Sequence, residues 1–250
     1  MKNILISSLV IVCLLASFVF AGTIGITSEK VDDKYITAVL VNKGWNLIPV
    51  SSGGSGSLHA VDGIEEFKGD PVETDKILSM SDYKYVWIYD IGLKKYVGGS
   101  YESYQNNPEM KAFSERMEND PNYNTYYSYS AAWFYFDKQG MLFFERQIDG
   151  SPSLDNMYLI KGWNFIHTVP EMDGMSFDEF KGDCEIEKIA GWMVDEQNWQ
   201  VDDYADMYQG ELHDDSISVS LLIKVADDCR FSGMSGGSSP PPVPGVPGLE

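Results

Sequence analysis

The chain has 250 residues, of which 38 are acidic and 18 are basic, so its formal net charge is −20 at pH 7. Such a charge repels nucleic acid and anionic membrane surfaces, which argues against both as partners. Hydrophobic residues make up 44% of the sequence, which is enough to form a core in one large or two small domains.

The first 21 residues have the composition of a cleavable export signal. A basic start at Lys2, a short apolar segment and small residues at Val19 and Ala21 are typical of a secretory signal peptide. A retained membrane anchor is the alternative, but serines dilute the apolar run and a cleavage site closes it. We therefore predict that residues 1–21 are removed and that the protein is secreted or held at the cell surface.

Four short motifs occur twice in the same order, which predicts two repeated modules at residues 32–148 and 149–232. Aromatic and β-branched residues alternate between the motifs, and Gly, Asp and Asn separate the runs, as is typical of strands joined by tight turns. The prediction is a mainly β fold with two tandem modules, each a small sandwich or barrel-like sheet. The motifs are Lys-Gly-Trp-Asn at 43–46 and 161–164, Phe-Lys-Gly-Asp at 67–70 and 180–183, the strands beginning at Trp87 and Trp192, and the segments 131–144 and 220–231.

The glycines and tryptophans of these motifs are the predicted structural anchors of the modules. We expect the glycines of the Lys-Gly-Trp-Asn motifs to adopt positive φ in a turn and the rings of Trp45 and Trp163 to enter the core, because apolar residues follow each of these motifs. The alternative is that the rings are exposed platforms on which sugars stack. The anchors are Gly44, Trp45, Trp87, Gly162, Trp163 and Trp192.

The first module carries an insert in which Pro108 begins a predicted helix that runs to about Glu118. The insert is rich in tyrosine, a residue that makes large contacts at low entropic cost, and variable loops on a repeated scaffold often bind ligands. It is therefore the candidate binding surface, and the alternative is that its rings cover the edge of a sheet. The tyrosines are Tyr101, Tyr104, Tyr123, Tyr126, Tyr127 and Tyr129.

Removal of Cys13 with the signal leaves two cysteines, Cys184 and Cys229. An even pair in an exported chain predicts one disulfide. Half of a zinc site is the alternative, but no histidine lies at ligand spacing from either cysteine.

No catalytic or metal-binding motif has the context that its chemistry needs. The segment 233–237 matches a serine-nucleophile pattern, but it lies in the Gly/Ser/Pro-rich tail at 233–250, which we predict to be disordered. We therefore predict no enzyme and no cofactor. A loose calcium site is the remaining metal hypothesis, with a solvated acidic loop as its alternative, at Asp202, Asp203, Asp206, Asp214 and Asp215.

The order of the motifs resembles a loosely defined class of exported archaeal or bacterial proteins with tandem β modules. In that class a module opens on Lys-Gly-Trp-Asn-Leu-Ile, as at 43–48 and 161–166, and closes on an aromatic strand followed by cysteine, as at 132–137 and 221–229. The first module lacks the closing cysteine, and Leu222 replaces the aromatic residue in the second. The resemblance implies a cell-surface location and says little about chemistry.

These observations predict an exported, non-enzymatic surface protein that binds or assembles through its modules. The expected partner is a cell-envelope component, a glycan or another surface protein, and self-association is a further expectation. The alternatives are a carbohydrate-binding protein that uses exposed Trp or Tyr, and a secreted hydrolase that uses paired carboxylates.

Overall fold

The computed structural model describes residues 24–50, 58–61, 63–103, 106–148, 154–203 and 210–231. The predicted signal peptide, the tail at 233–250, Tyr104 and Asp206 lie outside these ranges.

The fold is mainly β, as predicted. Its strands are β1 (Ile26–Val31), β2 (Lys34–Val41), β3 (Gly44–Pro49), β4 (His59–Ala60), β5 (Glu66–Phe67), β6 (Asp70–Pro71), β7 (Tyr85–Asp90), β8 (Lys95–Ser100), β9 (Ala131–Phe136), β10 (Gly140–Gln147), β11 (Tyr158–Leu159), β12 (Gly162–His167), β13 (Ile186–Met193), β14 (Asn198–Asp203), β15 (Ser220–Val225) and β16 (Cys229–Arg230).

Two four-stranded antiparallel sheets have the same topology: in each, the strands that come first, fourth, second and third along the chain lie side by side in that order. Sheet I has the order β3-β9-β7-β8, and sheet II has the order β12-β15-β13-β14. A Lys-Gly-Trp-Asn motif opens the edge strand of each sheet. A third four-stranded sheet, β1-β2-β10-β4, accompanies sheet I, and the two-stranded pair β11-β16 occupies the matching place beside sheet II.

The Lys-Gly-Trp-Asn motif is a turn closed by its asparagine. Asn46 accepts a hydrogen bond from the Asn42 amide at 3.0 Å and donates to the carbonyls of Asn42 and Gly44 at 2.9 and 3.1 Å. Asn164 makes the same three bonds, to the Ile160 amide at 2.9 Å and to the carbonyls of Ile160 and Gly162 at 2.7 and 3.0 Å. The two motif glycines have φ of 118° and 99°, so their predicted positive φ is confirmed.

Strand pairing shows that the predicted alignment of Trp87 with Trp192 is wrong by two residues. Trp87 pairs with Trp133 in sheet I, and Ala190 pairs with Leu222, the position of sheet II that matches Trp133. Trp87 is therefore level with Ala190. A shift of two residues keeps a side chain on the same face, so the pattern of the sequence could not reveal it.

The repeated Phe-Lys-Gly-Asp motif forms two different structures. In the first copy Lys68 and Gly69 have φ of 52° and 79° and form the turn between β5 and β6. In the second copy Phe180 is the last residue of helix α3 (Phe177–Phe180), and Gly182, with φ of 59°, follows its C-cap. Four identical residues thus do not determine the local structure here.

One buried hydrophobic cluster contains residues of both predicted modules. Ile48 and Phe134 from sheet I belong to the same cluster as Ile166 and Ile223 from sheet II. Strand β1 adds a polar link, because the Ser28 hydroxyl donates to the Ile217 carbonyl at 2.6 Å. The two predicted modules therefore share a core.

The predicted helix in the insert is confirmed as α1 (Pro108–Asn119), which α2 (Pro121–Tyr127) follows. Asn107 caps α1, since its side chain accepts a hydrogen bond from the Glu109 amide at 2.9 Å. The same side chain donates to the Gly98 carbonyl at 2.6 Å and so fixes the start of the helix against β8.

The structure buries four of the six tyrosines that were assigned to a binding surface, so that assignment is wrong for Tyr123, Tyr126, Tyr127 and Tyr129. Each is at most 7% exposed. The Tyr127 hydroxyl donates to the Tyr89 carbonyl at 2.7 Å, and the Tyr123 hydroxyl donates to Asp90. Burial and this bond to Asp90 raise the pKa of Tyr123 to about 12. These rings cover sheet I, which was the alternative, and Tyr101 remains half-exposed.

The predicted disulfide between Cys184 and Cys229 is present, with a Cα–Cα distance of 5.1 Å. It joins the segment after α3 to β16, and both residues are buried. The zinc alternative for this pair is therefore excluded.

Candidate functional site: an aromatic cleft

Sheets I and II contact each other through aromatic side chains. Leu47, Ala131 and Phe165 are buried in this contact. The ring centroids of Tyr89 and Phe165 lie 5.8 Å apart, and those of Trp133 and Trp192 lie 4.7 Å apart. The contact is therefore built from large rings on both sides.

An open cleft of about 310 Å³ lies at this contact, and we call it the aromatic cleft. Sheet I supplies one lining residue from each of its four strands, and sheet II supplies one from β13. The lining residues are Trp45, Trp87, Tyr96, Trp133 and Trp192.

The rings reach the cleft because side chains alternate between the two faces of a strand. Trp87 pairs directly with Trp133, so both rings project from the same face of sheet I. Ile48, Val86 and Phe134 project from the opposite face and belong to the buried hydrophobic cluster. Sheet I therefore has one core face and one aromatic face.

Hydrogen bonds to the protein itself occupy the polar groups at one end of the cleft. The Trp192 indole N–H donates to the Trp45 carbonyl at 3.0 Å, and the Trp45 amide donates to Gln197 Oε1 at 2.9 Å. Gln197 in turn donates to the Val194 carbonyl at 2.9 Å. These bonds fix the rings in place and leave a lining that is almost wholly apolar.

Of the five lining residues, Tyr96 is the one with a hydroxyl group. Burial raises the pKa of this hydroxyl above its ordinary value, and a hydrogen bond with Trp133 acts in the opposite direction. The hydroxyl therefore stays neutral at physiological pH and adds no charge to the cleft.

The prediction that the rings of Trp45 and Trp163 enter the core is wrong, because both are only partly buried, as are Trp87 and Trp192. The apolar residues after Trp45 had suggested burial, but they divide between two faces. Ile48 enters the core, whereas Leu47 shares the aromatic face with Trp45. Trp45, Trp87 and Trp192 line the cleft, and Trp163 is not among its lining residues.

Sequence reasoning missed Trp133 and Tyr96 as site residues. The signal was clearest in β7, where aromatic residues occupy alternate positions in Tyr-Val-Trp-Ile-Tyr, whereas β9 has four consecutive aromatic residues at 133–136. Alternation in β7 places a row of rings on one face, while the rings of β9 fall on both faces. The pattern predicts the strands but does not show which of their two faces is open.

A second cavity of about 500 Å³ lies on the opposite face of sheet I, beneath α1. Phe113 and Met117 of the helix line it, together with Val86 and Phe134 of the sheet. No charged side chain lines this cavity, so it offers no acid, base or ion partner.

A buried pair of basic side chains lies between β10 and β12. Arg146 Nη2 donates to His167 Nε2 at 2.6 Å, and His167 Nδ1 donates to the Ser130 carbonyl at 2.7 Å. Burial, and secondly the charge of Arg146, hold the pKa of His167 well below its ordinary value. Burial also lowers the pKa of Arg146 to about 9, so the guanidinium remains charged at neutral pH.

The calcium hypothesis gains no support from the part of the chain that the structure describes. Within those ranges no group of three or more His, Cys, Asp or Glu side chains could hold a metal. Asp214 accepts from the Asp215 amide at 2.9 Å, and Asp215 accepts from the Ser216 hydroxyl at 3.1 Å. Both carboxylates therefore serve a local turn.

Among the described helices, none is long and apolar enough to cross a membrane. No family model matches the chain, and neither a curated protein nor a solved structure is significantly similar to it. The residues of the aromatic cleft are therefore the basis of the functional proposal.

Proposed function

We propose that this chain is an exported binding protein without catalytic activity and that the aromatic cleft is its ligand site. The observation that carries the proposal is the partial exposure of four tryptophans and one tyrosine in a single cleft. Burying a large aromatic ring stabilises a fold by several kcal/mol, on the order of 25 cal/mol per Å² of apolar surface removed from water. A concave site where five rings forgo part of that gain is typical of a ligand site.

The chemistry of the lining supports binding over catalysis. Its residues include no carboxylate, imidazole, thiol or amine, which are the usual acids, bases and nucleophiles of enzymes. The hydrolase alternative would need two carboxylates on either side of one substrate bond, and the cleft has none in its lining.

Two further parts of the proposal rest on the sequence and the strand order. The N-terminal segment supports export, to the medium or to the cell surface. The matching strand orders and the two asparagine-closed turns support descent of sheets I and II from one repeated module, in keeping with the resemblance to tandem β-module proteins.

Carbohydrate binding is the second candidate, and the partial exposure of the indole rings favours it. Sugar recognition combines stacking on a ring with hydrogen bonds to hydroxyl groups. The lining offers one hydroxyl, that of Tyr96, for the second requirement. A glycan is therefore the weaker candidate for this cleft.

The test is a titration of the full chain that follows intrinsic tryptophan fluorescence. Soluble glycans, extracts of the producing cell's envelope and small organic cations are added in turn to the parent, to Trp87→Ala and to Trp163→Ala. We expect a ligand-induced change in the parent and in Trp163→Ala, whose tryptophan lies outside the lining, and its loss in Trp87→Ala. Equal responses in all three proteins would show that the cleft is not the ligand site.

A further inference from the structure

Resting on the proposed function, we infer that the aromatic cleft binds a small quaternary ammonium cation. The inference follows from the angles between the rings, the lack of polar partners in the lining and the charge of the chain. The first two favour a methylated ammonium group over a sugar, and the electron-rich ring faces and the charge favour it over a neutral apolar molecule.

The ring faces of the cleft point in different directions. The planes of the lining residues Trp133 and Trp192 are at 89° to each other, and Trp199, which is outside the lining, packs at 81° to Trp133 and at 76° to Trp192. A compact cation placed against such rings meets the electron-rich face of more than one of them. A flat sugar ring stacks on one plane at a time, so perpendicular rings suit it less well.

The lining also matches the hydrogen-bonding capacity of the proposed ligand. A quaternary ammonium group has no N–H, so it loses no hydrogen bond when it enters an apolar cleft. Each sugar hydroxyl that enters must give up its bonds to water, and two of the four indole N–H groups in the lining are already engaged, that of Trp192 with the Trp45 carbonyl and that of Trp133 with Tyr96. The cleft thus penalises a sugar and spares a methylated cation.

Charge favours a cation at this position. The chain carries a formal net charge of −20, which raises the local concentration of cations at its surface. The lining includes no Lys or Arg that would compete for the ring faces.

The rings are held in position before any ligand arrives. Trp192 is tied to the β3 backbone, and Trp45 packs edge-to-face on Tyr135 with centroids 5.3 Å apart. Fixed rings lower the entropy that binding costs. Cation–π contacts of this kind are the usual means by which proteins bind choline-like groups.

The experiment compares choline with 3,3-dimethylbutan-1-ol, a neutral molecule of the same shape in which carbon replaces the charged nitrogen. Both are titrated into the full chain and followed by calorimetry and tryptophan fluorescence, with tetramethylammonium as a second cation and soluble glycans as competitors. We expect choline to bind about tenfold more tightly than the neutral analogue, because each ring adds a cation–π contribution that only the cation gains.

Variants of Trp87 complete the test. We expect Trp87→Ala to weaken choline binding about tenfold, Trp87→Phe to weaken it less, and Trp163→Ala to leave it unchanged. The conservative Phe variant retains a ring and keeps the test valid if the Ala variant does not fold.

The outcomes separate the inference from the function on which it rests. Equal affinity for choline and its neutral analogue, or binding of glycans but not choline, would overturn the cation inference while the cleft remained a ligand site. Binding of no probe, or binding that Trp87→Ala and Trp87→Phe leave unchanged, would overturn both.

Discussion

The five positions that line the aromatic cleft have five matching positions on the other sheet, and the two sets have different side chains. The matches, in the order cleft residue and counterpart, are Trp45 and Trp163, Trp87 and Ala190, Tyr96 and Trp199, Trp133 and Leu222, and Trp192 and Tyr89. Three counterparts are aromatic and two are aliphatic. The two sets of positions thus have the same strand pairing, but only the cleft positions all carry aromatic side chains.

The exchange of Trp87 for Ala190 is accompanied by an opposite exchange on the neighbouring strand. Trp87 pairs with Gly98, whereas Ala190 pairs with Val201. A Cβ added to Gly98 would lie 2.0 Å from the Val86 carbonyl oxygen, so no larger residue fits there. A large ring thus lies opposite glycine in one sheet, and two smaller side chains lie opposite each other at the matching place in the other.

The largest effect is expected from the disulfide, which has no equivalent in the first half of the chain, since Gly140 occupies the position of Cys229. Replacing both Cys184 and Cys229 by serine should lower the free energy of unfolding by about 4 kcal/mol, because the bond constrains a long loop of the unfolded chain. Denaturant unfolding of the variant and of the reduced parent measures this. Unchanged stability in both would mean that the bond contributes nothing to the fold.

The two asparagine-closed turns should contribute equally. Asn46→Ala and Asn164→Ala each remove three hydrogen bonds of a buried side chain, and each should lower the free energy of unfolding by about 3 kcal/mol. The exposed Asn198→Ala is the control, with an expected change below about 0.5 kcal/mol. A large loss in only one of the turn variants would show that the matching geometry does not have matching energetics.

The pH dependence of stability should distinguish the two edge strands, because His167 in β12 matches Pro49 in β3. The pKa of His167 is depressed in the folded state, so the imidazole is neutral there, while the unfolded chain protonates below about pH 6.5. Stability should therefore be full above that pH and fall as pH drops below it, by up to about 1.4 kcal/mol per pH unit.

Unfolding free energies of the parent and of His167→Gln at pH 7, 6 and 5.5 isolate this contribution from that of the carboxylates. We expect the slope of the variant to be shallower than that of the parent. Parallel slopes would mean that His167 can take up a proton without loss of the fold.

The smallest effects on stability are expected for Trp87→Ala and Trp163→Ala. Both side chains are only partly buried, so each loss should be below about 2 kcal/mol, against 3–5 kcal/mol for a fully buried tryptophan. Chemical unfolding of the two variants, in parallel with the titrations above, measures it. A loss in the larger range for Trp163→Ala would restore the assignment of that ring to the core, and one for Trp87→Ala would mean that its ring is packed as tightly as a core residue.

Features set by local chemistry could be predicted from the sequence. Pro108 marks the start of α1, the motif glycines mark positive φ, and the remaining pair of cysteines marks the disulfide. Each of these rests on a property of one or two residues that holds in most surroundings.

Features that depend on which face of a strand is covered could not be predicted in the same way. Apolar residues follow Trp45, but they do not tell whether the face that carries the Trp45 ring is buried or open. In the same way, a tyrosine-rich segment such as α2 can lie on a surface or be buried, and its sequence is the same in both cases. Likewise, the Phe-Lys-Gly-Asp motif forms a strand turn in one place and a helix end in the other. Tertiary packing decides these cases.

The buried cluster that joins the two predicted modules has a consequence for how this chain can be inherited. If one half were moved into another protein, Ile166, Ile223 and their neighbours would lose their partners and face water. We therefore expect a gene cut near the codon for residue 148 to yield halves that expose apolar surface, so that the two sheets are inherited together.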